Sequence, residues 1–301
     1  MREAIGDYKV LEPVGSGGAA EVYRARDTRR GRTAAIKVLT SEVAMDAVLG
    51  PAFVREANLA LSIDHPAVAA LYEIEEQDGR PHLVFEFVPG QPLSALLAGH
   101  PLNARQAIEY AAQVADGLAQ AHAGGVVHRM LRPDKIIITP KGTARVLDLG
   151  LGQYSMAVAR SAADRSAAAA AMTYWAPEQL AGADGDERAD VWALGQILTE
   201  MVTGTPPDRG RTPNTSALPP DLRLLVARMT TDAPERRPQS AATVAAELRA
   251  LAVGLEARRA SAPAVPAPPV RTAKPVLPPW AIVASVLLVL AILVWLAARG
   301  A

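Results

Sequence analysis

The chain has 301 residues, with 31 Lys and Arg against 31 Asp and Glu, so its formal net charge is zero. That balance argues against a nucleic-acid-binding protein that relies on a broad basic surface. The lack of cysteine excludes a disulfide framework, a thiolate metal site and a cysteine nucleophile. Half of the residues are hydrophobic, which excludes disorder over the whole length and suits one large or two small domains.

Strand patterns come first along the chain. Residues 21–26 alternate in polarity, residues 33–39 are apolar around one lysine, and residues 82–88 form a short apolar run. Before the first of these lies a glycine cluster, residues 15–18, whose backbone N–H groups could approach phosphate oxygens. A dinucleotide-binding fold needs a helix directly after such a loop. Because a strand follows here, the cluster is predicted to cap a hairpin.

Helical patterns dominate the later part of the chain. Asn103 can cap a helix with the apolar face Ile108, Ala111, Val114 and Leu118. Ser240 can cap another, with the face Val244, Leu248 and Leu251. Strands followed by helices predict an α+β fold with a small β-rich lobe at about 6–87 and a larger helical lobe at about 88–255.

A proline-rich segment follows this globular part. Residues 256–279 are predicted to be a linker, with seven prolines between Pro263 and Pro279 that favour an extended polyproline II spacer. A passive tether is the preferred interpretation, and a docking site for a proline-recognising domain is the alternative.

An uncharged apolar segment, residues 280–298, comes next. At about 1.5 Å per residue it would span about 28 Å as a helix, close to the roughly 30 Å of a bilayer core. The sequence therefore predicts a single transmembrane helix in contact with lipid, with a tail at 299–301. Arg271 and Lys274 precede it closely, which favours a cell-membrane protein with its globular part in the cytoplasm and its C-terminus outside.

A lysine within an apolar strand also calls for explanation. Lys37 would be costly there unless it is paired, and Glu56, on a helix-like stretch, is the candidate partner. Glycine hairpin, strand lysine and helix glutamate, in this order, resemble the start of the protein kinase family. The resemblance continues through these further segments: 86–90 (hinge, with Phe85 behind it), 128–135 (catalytic loop), 148–150 (metal-binding triplet), 176–178, 190–195 and 235–238. In its details it is similar to bacterial serine/threonine kinases.

The resemblance implies a bilobal fold that uses ATP and Mg²⁺. It implies that residues 190–195 lie on the helix supporting the catalytic loop and that Arg237 is the buried partner of Glu178. One Mg²⁺ ion is expected on Asp148, and the second is in doubt. The residues matching the family's ATP site are Val14, Gly15, Ser16, Gly17, Gly18, Val22, Ala35, Lys37, Glu56, Glu86, Val88 and Asp148.

The reaction centre departs from the family pattern. Met130 stands where the family has the Asp that accepts or orients the substrate proton, and a thioether can do neither usefully. Lys135 replaces the metal-binding Asn, and a protonated lysine has no lone pair for a metal. Arg132 replaces a lysine that steadies the transferred phosphoryl group, and Ala171 replaces a threonine.

These departures favour a membrane-tethered pseudokinase that binds ATP and docks unidentified cytoplasmic signalling proteins. A residually active serine/threonine kinase is the first alternative, with Lys135 supplying charge in place of the second metal. A nucleotide-independent scaffold is the second, distinguished by whether ATP raises the melting temperature. Residues 153–172 are expected to be a flexible alanine-rich loop, with Ser155, Ser161 and Ser166 as candidate phosphate acceptors for Arg129.

Overall fold

The computed structural model describes residues 3–17, 20–39, 49–77, 79–161, 169, 172–208, 215–216, 218–261 and 299. The chain divides into a compact unit from Met1 to Arg258 and a second unit from Arg259 to Ala301. No helix within the described residues is both long and apolar enough to cross a bilayer. The predicted span at 280–298 lies outside the described part of the chain.

Strands dominate the N-terminal part of the chain and helices the C-terminal part, as the sequence predicts. The described strands are β1 (Ala4–Ile5), β2 (Tyr8–Gly17), β3 (Ala20–Asp27), β4 (Thr33–Leu39), β5 (Leu71–Gln77), β6 (Arg80–Glu86), β7 (Gln91–Pro92), β8 (Ile136–Ile138) and β9 (Ala144–Val146). The described helices are α1 (Leu49–Ala60), α2 (Leu93–Leu97), α3 (Ala104–Ala123), α4 (Gly152–Ser161), α5 (Pro177–Leu180), α6 (Glu187–Thr203), α7 (Pro220–Met229) and α8 (Ala241–Ser261). Single 3₁₀ turns lie at Pro133–Lys135 and Pro234–Arg236.

The first lobe is an antiparallel sheet in the order β1-β2-β3-β4-β6-β5, flanked by α1. Strands β2 and β3 pair as a hairpin whose last described pair is Gly17 with Ala20. The glycine cluster therefore lies at the end of a hairpin, as predicted from the strand that follows it. Gly18 and Ala19, at the tip, lie outside the described residues.

The alternation of side chains along strand β4 decides on which face of the sheet Lys37 lies. Ala34, Ile36 and Val38 are buried on one face, in an apolar cluster with side chains of β1, β2, β3 and β6. Because strand side chains alternate between faces, Ala35 and Lys37 point to the opposite face. That face carries the candidate site, and Ala35 on it also packs against the larger core cluster of the molecule.

The second lobe is built on helices α3 and α6. Asn103 caps α3 through a hydrogen bond from the Gln106 backbone N–H, at 2.9 Å, which confirms the predicted cap. The predicted α3 face is fully buried: Ile108, Ala111, Val114 and Leu118. Ser240 likewise accepts from the Thr243 N–H, at 3.2 Å, at the start of α8. Helix α6 packs between α3 and α7 and is buried along most of its length.

Two segments differ from the sequence-based expectations. Helix α4 lies where a flexible loop was expected, and it buries Tyr154, Met156 and Ala159. Most of the stability of a helix in a protein comes from packing its apolar face, so the burial of these three side chains orders this part of the segment. Helix α8 continues to Ser261, beyond the predicted linker boundary at 255.

Candidate functional site

Asp148 lies at the centre of the site between two lysines. Lys135 Nζ lies 2.7 Å from its Oδ2, and Lys37 Nζ pairs with its Oδ1. Strand β4 supplies Lys37, the 3₁₀ turn at the end of the catalytic loop supplies Lys135, and the segment following β9 supplies Asp148. All three side chains are largely buried. Both oxygens of the carboxylate are thus occupied by ammonium groups.

Burial and charge set the protonation of this cluster. Burial on its own would raise the pKa of Asp148, but the ammonium groups of Lys135 and Lys37 hold that pKa well below its usual range. The charge of Asp148 raises the pKa of Lys135 despite its burial, so Lys135 stays protonated. Burial lowers the pKa of Lys37 against the attraction of Asp148. The cluster carries one net positive charge when all three groups are ionised.

Glu56 and Lys37 were predicted to pair with each other, but each forms an ion pair with a different residue. Arg129 Nη1 of the catalytic loop donates to Glu56 Oε1 at 2.5 Å, while Lys37 contacts Asp148. Both members of the Glu56–Arg129 pair are largely buried. The pair joins helix α1 to the catalytic loop, and it engages the arginine that was expected to meet a phosphate in the activation segment.

Met130, at the position of the family's catalytic Asp, is buried in an apolar cluster. Its neighbours there are Met156, Ala159 and Trp175, with Met172 at the edge. The indole Nε1–H of Trp175 donates to Met130 Sδ at 2.9 Å. The thioether therefore belongs to the packing between the catalytic loop and α4, where it has no means of accepting a proton from a hydroxyl.

Hydrogen bonds to helix α6 hold the backbone of the catalytic loop in place. Asp190, fully buried on α6, accepts hydrogen bonds from the backbone N–H groups of His128 and Arg129, at 2.8 and 2.7 Å. His122 Nε2 lies 2.8 Å from the same carboxylate. These bonds confirm the prediction that the helix containing residues 190–195 supports the loop. Arg129 adopts a left-handed backbone conformation, with φ of 59°, in this constrained turn.

Two glycines fix the segment that carries Asp148. A Cβ on Gly150 would lie 2.6 Å from the Cβ of Ala60 on α1, and one on Gly152 would lie 2.6 Å from the carbonyl oxygen of His128. Neither contact has room for a side chain. The backbone therefore passes directly against α1 and the catalytic loop before entering α4.

Part of a small apolar cluster lies close in the chain to the charged residues of the site. Ala69, Val88 and Ile137 form a small buried apolar group with Leu147 at its edge, and Phe85 is buried behind it. In the sheet register Val22 lies opposite Lys37 and Ala35 lies opposite Phe85.

At the hinge, the carboxylate of Glu86 pairs with Arg145 and accepts a hydrogen bond from the Ala70 N–H at 3.3 Å. On β2, Val14 and Gly15 are exposed. The structure describes the backbone of Ser16 and Gly17 as the end of β2.

A divalent ion does not fit the residues as arranged. Mg²⁺ requires oxygen ligands in near-octahedral geometry, and here each oxygen of Asp148 already faces an ammonium group. The next carboxylate along the loop, Asp134, faces Arg132 Nε at 2.7 Å and Lys135 Nζ at 4.0 Å. The described residues contain no cluster of three His, Asp or Glu side chains able to hold a metal. The Mg²⁺ ion expected on Asp148 is therefore not supported by this geometry.

A second buried ion pair stabilises the lobe away from the reaction centre. Arg237 Nη1 and Nη2 both donate to the carboxylate of Glu178, at 2.7 Å each, as the family resemblance predicts. The same guanidinium also donates to the backbone carbonyls of Thr231, Arg188 and Asp232. This pair fixes the end of the activation segment to the loop before α8.

Sequence reasoning missed three features of the site. The Trp175–Met130 contact joins residues far apart in the chain, and only the unusual methionine hinted that its surroundings had changed. The Glu56–Arg129 pair and the order of α4 were also missed. Gly18, Ser166 and Ala171 lie outside the described residues, and of Ser161 only the backbone is described, so their expected roles stay predictions.

Comparison with known proteins agrees with this geometry. Residues 8–261 match the family model of the protein kinase domain. The serine/threonine-protein kinase PknB of Mycobacterium tuberculosis is 33% identical over 263 residues, covering 80% of this chain and 42% of that protein. The serine/threonine-protein kinase pkn2 of Myxococcus xanthus is 32% identical over 275 residues, covering 84% of this chain and 33% of that protein. The chain thus spans less than half the length of these curated relatives.

A solved structure has the same fold. The crystal structure of the Mycobacterium tuberculosis PknI kinase domain superposes with a TM-score of 0.67 at 27% identity, covering 83% of this chain and 98% of that one. The β-rich first lobe, the helical second lobe and the ordered site motifs agree with the match over residues 8–261. The chain is a member of the protein kinase family, similar to bacterial serine/threonine kinases.

Proposed function

We propose that the chain is a catalytically impaired, membrane-tethered protein kinase that binds ATP and acts as a docking or regulatory module. The observation that carries this proposal is the burial of Met130, whose sulfur accepts the Trp175 indole N–H at the place of the catalytic base. Loss of a general base costs about 10²–10⁴ in rate.

Neighbouring carboxylates are poorly placed to replace the missing base. Asp190 is occupied by backbone N–H groups and His122, and Asp148 by two lysines. Asp134 faces Arg132. Because each of these carboxylates in or beside the catalytic loop already has a cationic or N–H partner, proton transfer from a substrate hydroxyl lacks an acceptor there.

Nucleotide binding is supported by a different part of the site. The family as a whole uses ATP, and this chain retains the apolar walls at Ala69, Val88 and Ile137 with a buried lysine, Lys37, beside them. An apolar slot for a base next to a positively charged cluster suits a nucleoside with a charged phosphate chain. ATP is therefore the proposed ligand and protein docking the proposed output.

Calorimetry and a phosphoryl-transfer assay on the purified full chain test the proposal. ATP is expected to bind, and transfer from radiolabelled ATP to a generic protein substrate is expected to equal that of a Lys37→Met control. An active bacterial kinase run in parallel shows that the assay works. Failure of ATP to bind to a folded sample would contradict nucleotide binding, and transfer clearly above the Lys37→Met level would contradict impairment.

Membrane tethering rests on the sequence of residues 280–298, which are apolar and uncharged. The test is alkaline extraction of membranes from cells that express the full chain. The protein is expected to stay in the membrane fraction, whereas Leu288→Arg, which places a charge at mid-span at a cost of about 2.5–3.5 kcal/mol, is expected to be released in part. Full release of the unaltered chain would refute the tether.

A further inference from the structure

The cluster around Asp148 contains a protein cation where the family places a ligand for a metal. Lys135 Nζ lies 2.7 Å from Asp148 Oδ2, and Lys37 holds the other carboxylate oxygen. We propose that Lys135 takes the place of the divalent ion, so that this site binds the phosphate chain of a nucleoside triphosphate without Mg²⁺. This inference rests on the nucleotide binding proposed above.

The charges of the cluster suit a polyphosphate on their own. The two lysines outweigh Asp148 by one positive charge, while Arg132 is balanced by Asp134 at 2.7 Å. A lysine ammonium has three donor hydrogens, so Lys135 can keep its bond to Asp148 and still donate to a phosphate oxygen. Bonds from an ammonium to an anion are among the strong hydrogen bonds in proteins.

Lys135 is held in place by its backbone. Its N–H donates to the Arg132 carbonyl at 2.9 Å, and its own carbonyl accepts from the Leu147 N–H at 2.8 Å. The side chain is only 25% exposed. Its bond to Asp148 holds the ammonium group above this fixed backbone, so the group needs little reorganisation to meet a phosphate.

A divalent ion would compete with this arrangement. To reach Asp148 it must displace at least one ammonium group, and it would then lie beside a second positive charge in a largely buried site. Like charges at such short separations repel strongly where water is scarce. Mg²⁺ should therefore bring no gain in nucleotide affinity, unlike in a site with two free metal ligands.

Equilibrium binding of ATP to the full chain, in excess EDTA and then in Mg²⁺, tests this directly. The dissociation constant in EDTA is expected to lie within about threefold of that in Mg²⁺. Binding about tenfold or more tighter in Mg²⁺ overturns the inference and leaves the proposed function intact. No binding in either buffer, in a sample shown to be folded by circular dichroism, instead overturns the proposed function.

Lys135→Asn, with Lys141→Asn as its matched control, locates the effect. Lys141 is an exposed lysine on the turn between β8 and β9. Lys135→Asn should weaken ATP binding in EDTA by about tenfold or more, because a charged hydrogen bond is lost. In Mg²⁺, ATP binding by this variant should return to the level of the unaltered chain. Lys141→Asn should match the unaltered chain in both buffers.

Unchanged ATP affinity of Lys135→Asn in EDTA contradicts the inference. The comparison of the unaltered chain in the two buffers needs no variant, so it decides the question even if Lys135→Asn does not fold.

Discussion

Two regions of the second lobe differ in how they use buried charge. The supporting framework, formed by Asp190 with its donors and by the Glu178–Arg237 pair, has the contacts that its family resemblance predicts. The reaction centre, formed by Met130, Lys135 and Asp148, does not. The two regions meet at the catalytic loop, only a few residues apart.

The difference shows that the fold depends on the framework and not on the reacting groups. A carboxylate that accepts two backbone N–H groups holds a loop in one shape, whichever side chain the loop carries at the reaction centre. Function depends on the residues of a site and not on the fold alone. The residues of a reaction centre can therefore change while the contacts that support them are kept.

Removal of the buried guanidinium should break the framework most severely. Arg237→Met leaves Glu178 and three backbone carbonyls without their donor. We expect a loss of about 3–5 kcal/mol in the free energy of unfolding, measured by urea denaturation, because breaking a buried ion pair leaves groups desolvated and unpaired. Arg236→Ala, at the exposed neighbouring arginine, should change stability little. A similar loss in both variants would show that the pair is not the cause.

Restoring the missing carboxylate should damage the reaction centre without repairing it. Met130→Asp places a polar group in an apolar cluster, which costs about 1–3 kcal/mol. Phosphoryl transfer should stay at the level of the unaltered chain, because Lys135 still faces Asp148. Met130→Leu keeps the volume and should lose less than about 1.5 kcal/mol. A stable Met130→Asp protein with clear transfer in a radiolabel assay would mean that a single residue impairs the site.

His128 connects the two regions and should give a smaller, pH-dependent effect. Burial lowers the pKa of its imidazole. Its Nε2 lies 3.0 Å from the Leu147 carbonyl oxygen, and its Nδ1 accepts from the Met130 N–H at 3.3 Å, so the neutral ring fits both partners. Its contribution to stability is therefore complete above about pH 6.5 and is lost as the pH falls through the lowered folded-state value.

Urea unfolding at a series of pH values measures this effect. His128→Phe cannot be protonated, so its stability should fall less than that of the unaltered chain as the solution is acidified below about pH 6.5. His100→Gln, at an exposed histidine, should follow the unaltered chain. Parallel profiles for the unaltered chain and His128→Phe would exclude His128 as the source.

Helix capping should give the smallest effect. Asn103→Ala removes the side chain that accepts the Gln106 N–H and should cost about 1 kcal/mol in thermal or urea unfolding. Asn103→Ser retains a capping oxygen and should cost clearly less. Equal losses in the two variants would mean that the side chain of Asn103 acts through some other contact.

Much of the framework could be predicted from sequence because it depends on local spacing. The apolar residues of the α3 face recur along one helix, and the capping residue Asn103 directly precedes that helix. The Glu178–Arg237 pair is distant in sequence, yet it was predicted because both residues lie in segments that resemble the family. The side of β4 on which Lys37 lies follows from strand alternation, which the sequence analysis did not apply to this residue.

The reaction centre could not be predicted in the same way. Which carboxylate Lys37 meets depends on where three separate segments bring Asp148, Glu56 and Arg129 in space, and several pairings agree with the same sequence. The contact of Trp175 with Met130 depends on the path of α4. Residues 153–161 were taken for part of a loop because Tyr154, Met156 and Ala159 find their packing partners in segments distant in sequence.

Helix α1 has a consequence for how motion would pass through the molecule. Its alanines touch Gly150, two residues beyond Asp148, and its Glu56 holds Arg129 of the catalytic loop. A shift of this one helix would therefore act on the segment that carries Asp148 and on the catalytic loop through two separate contacts. A fluorescent reporter attached to α1 would register changes in either segment.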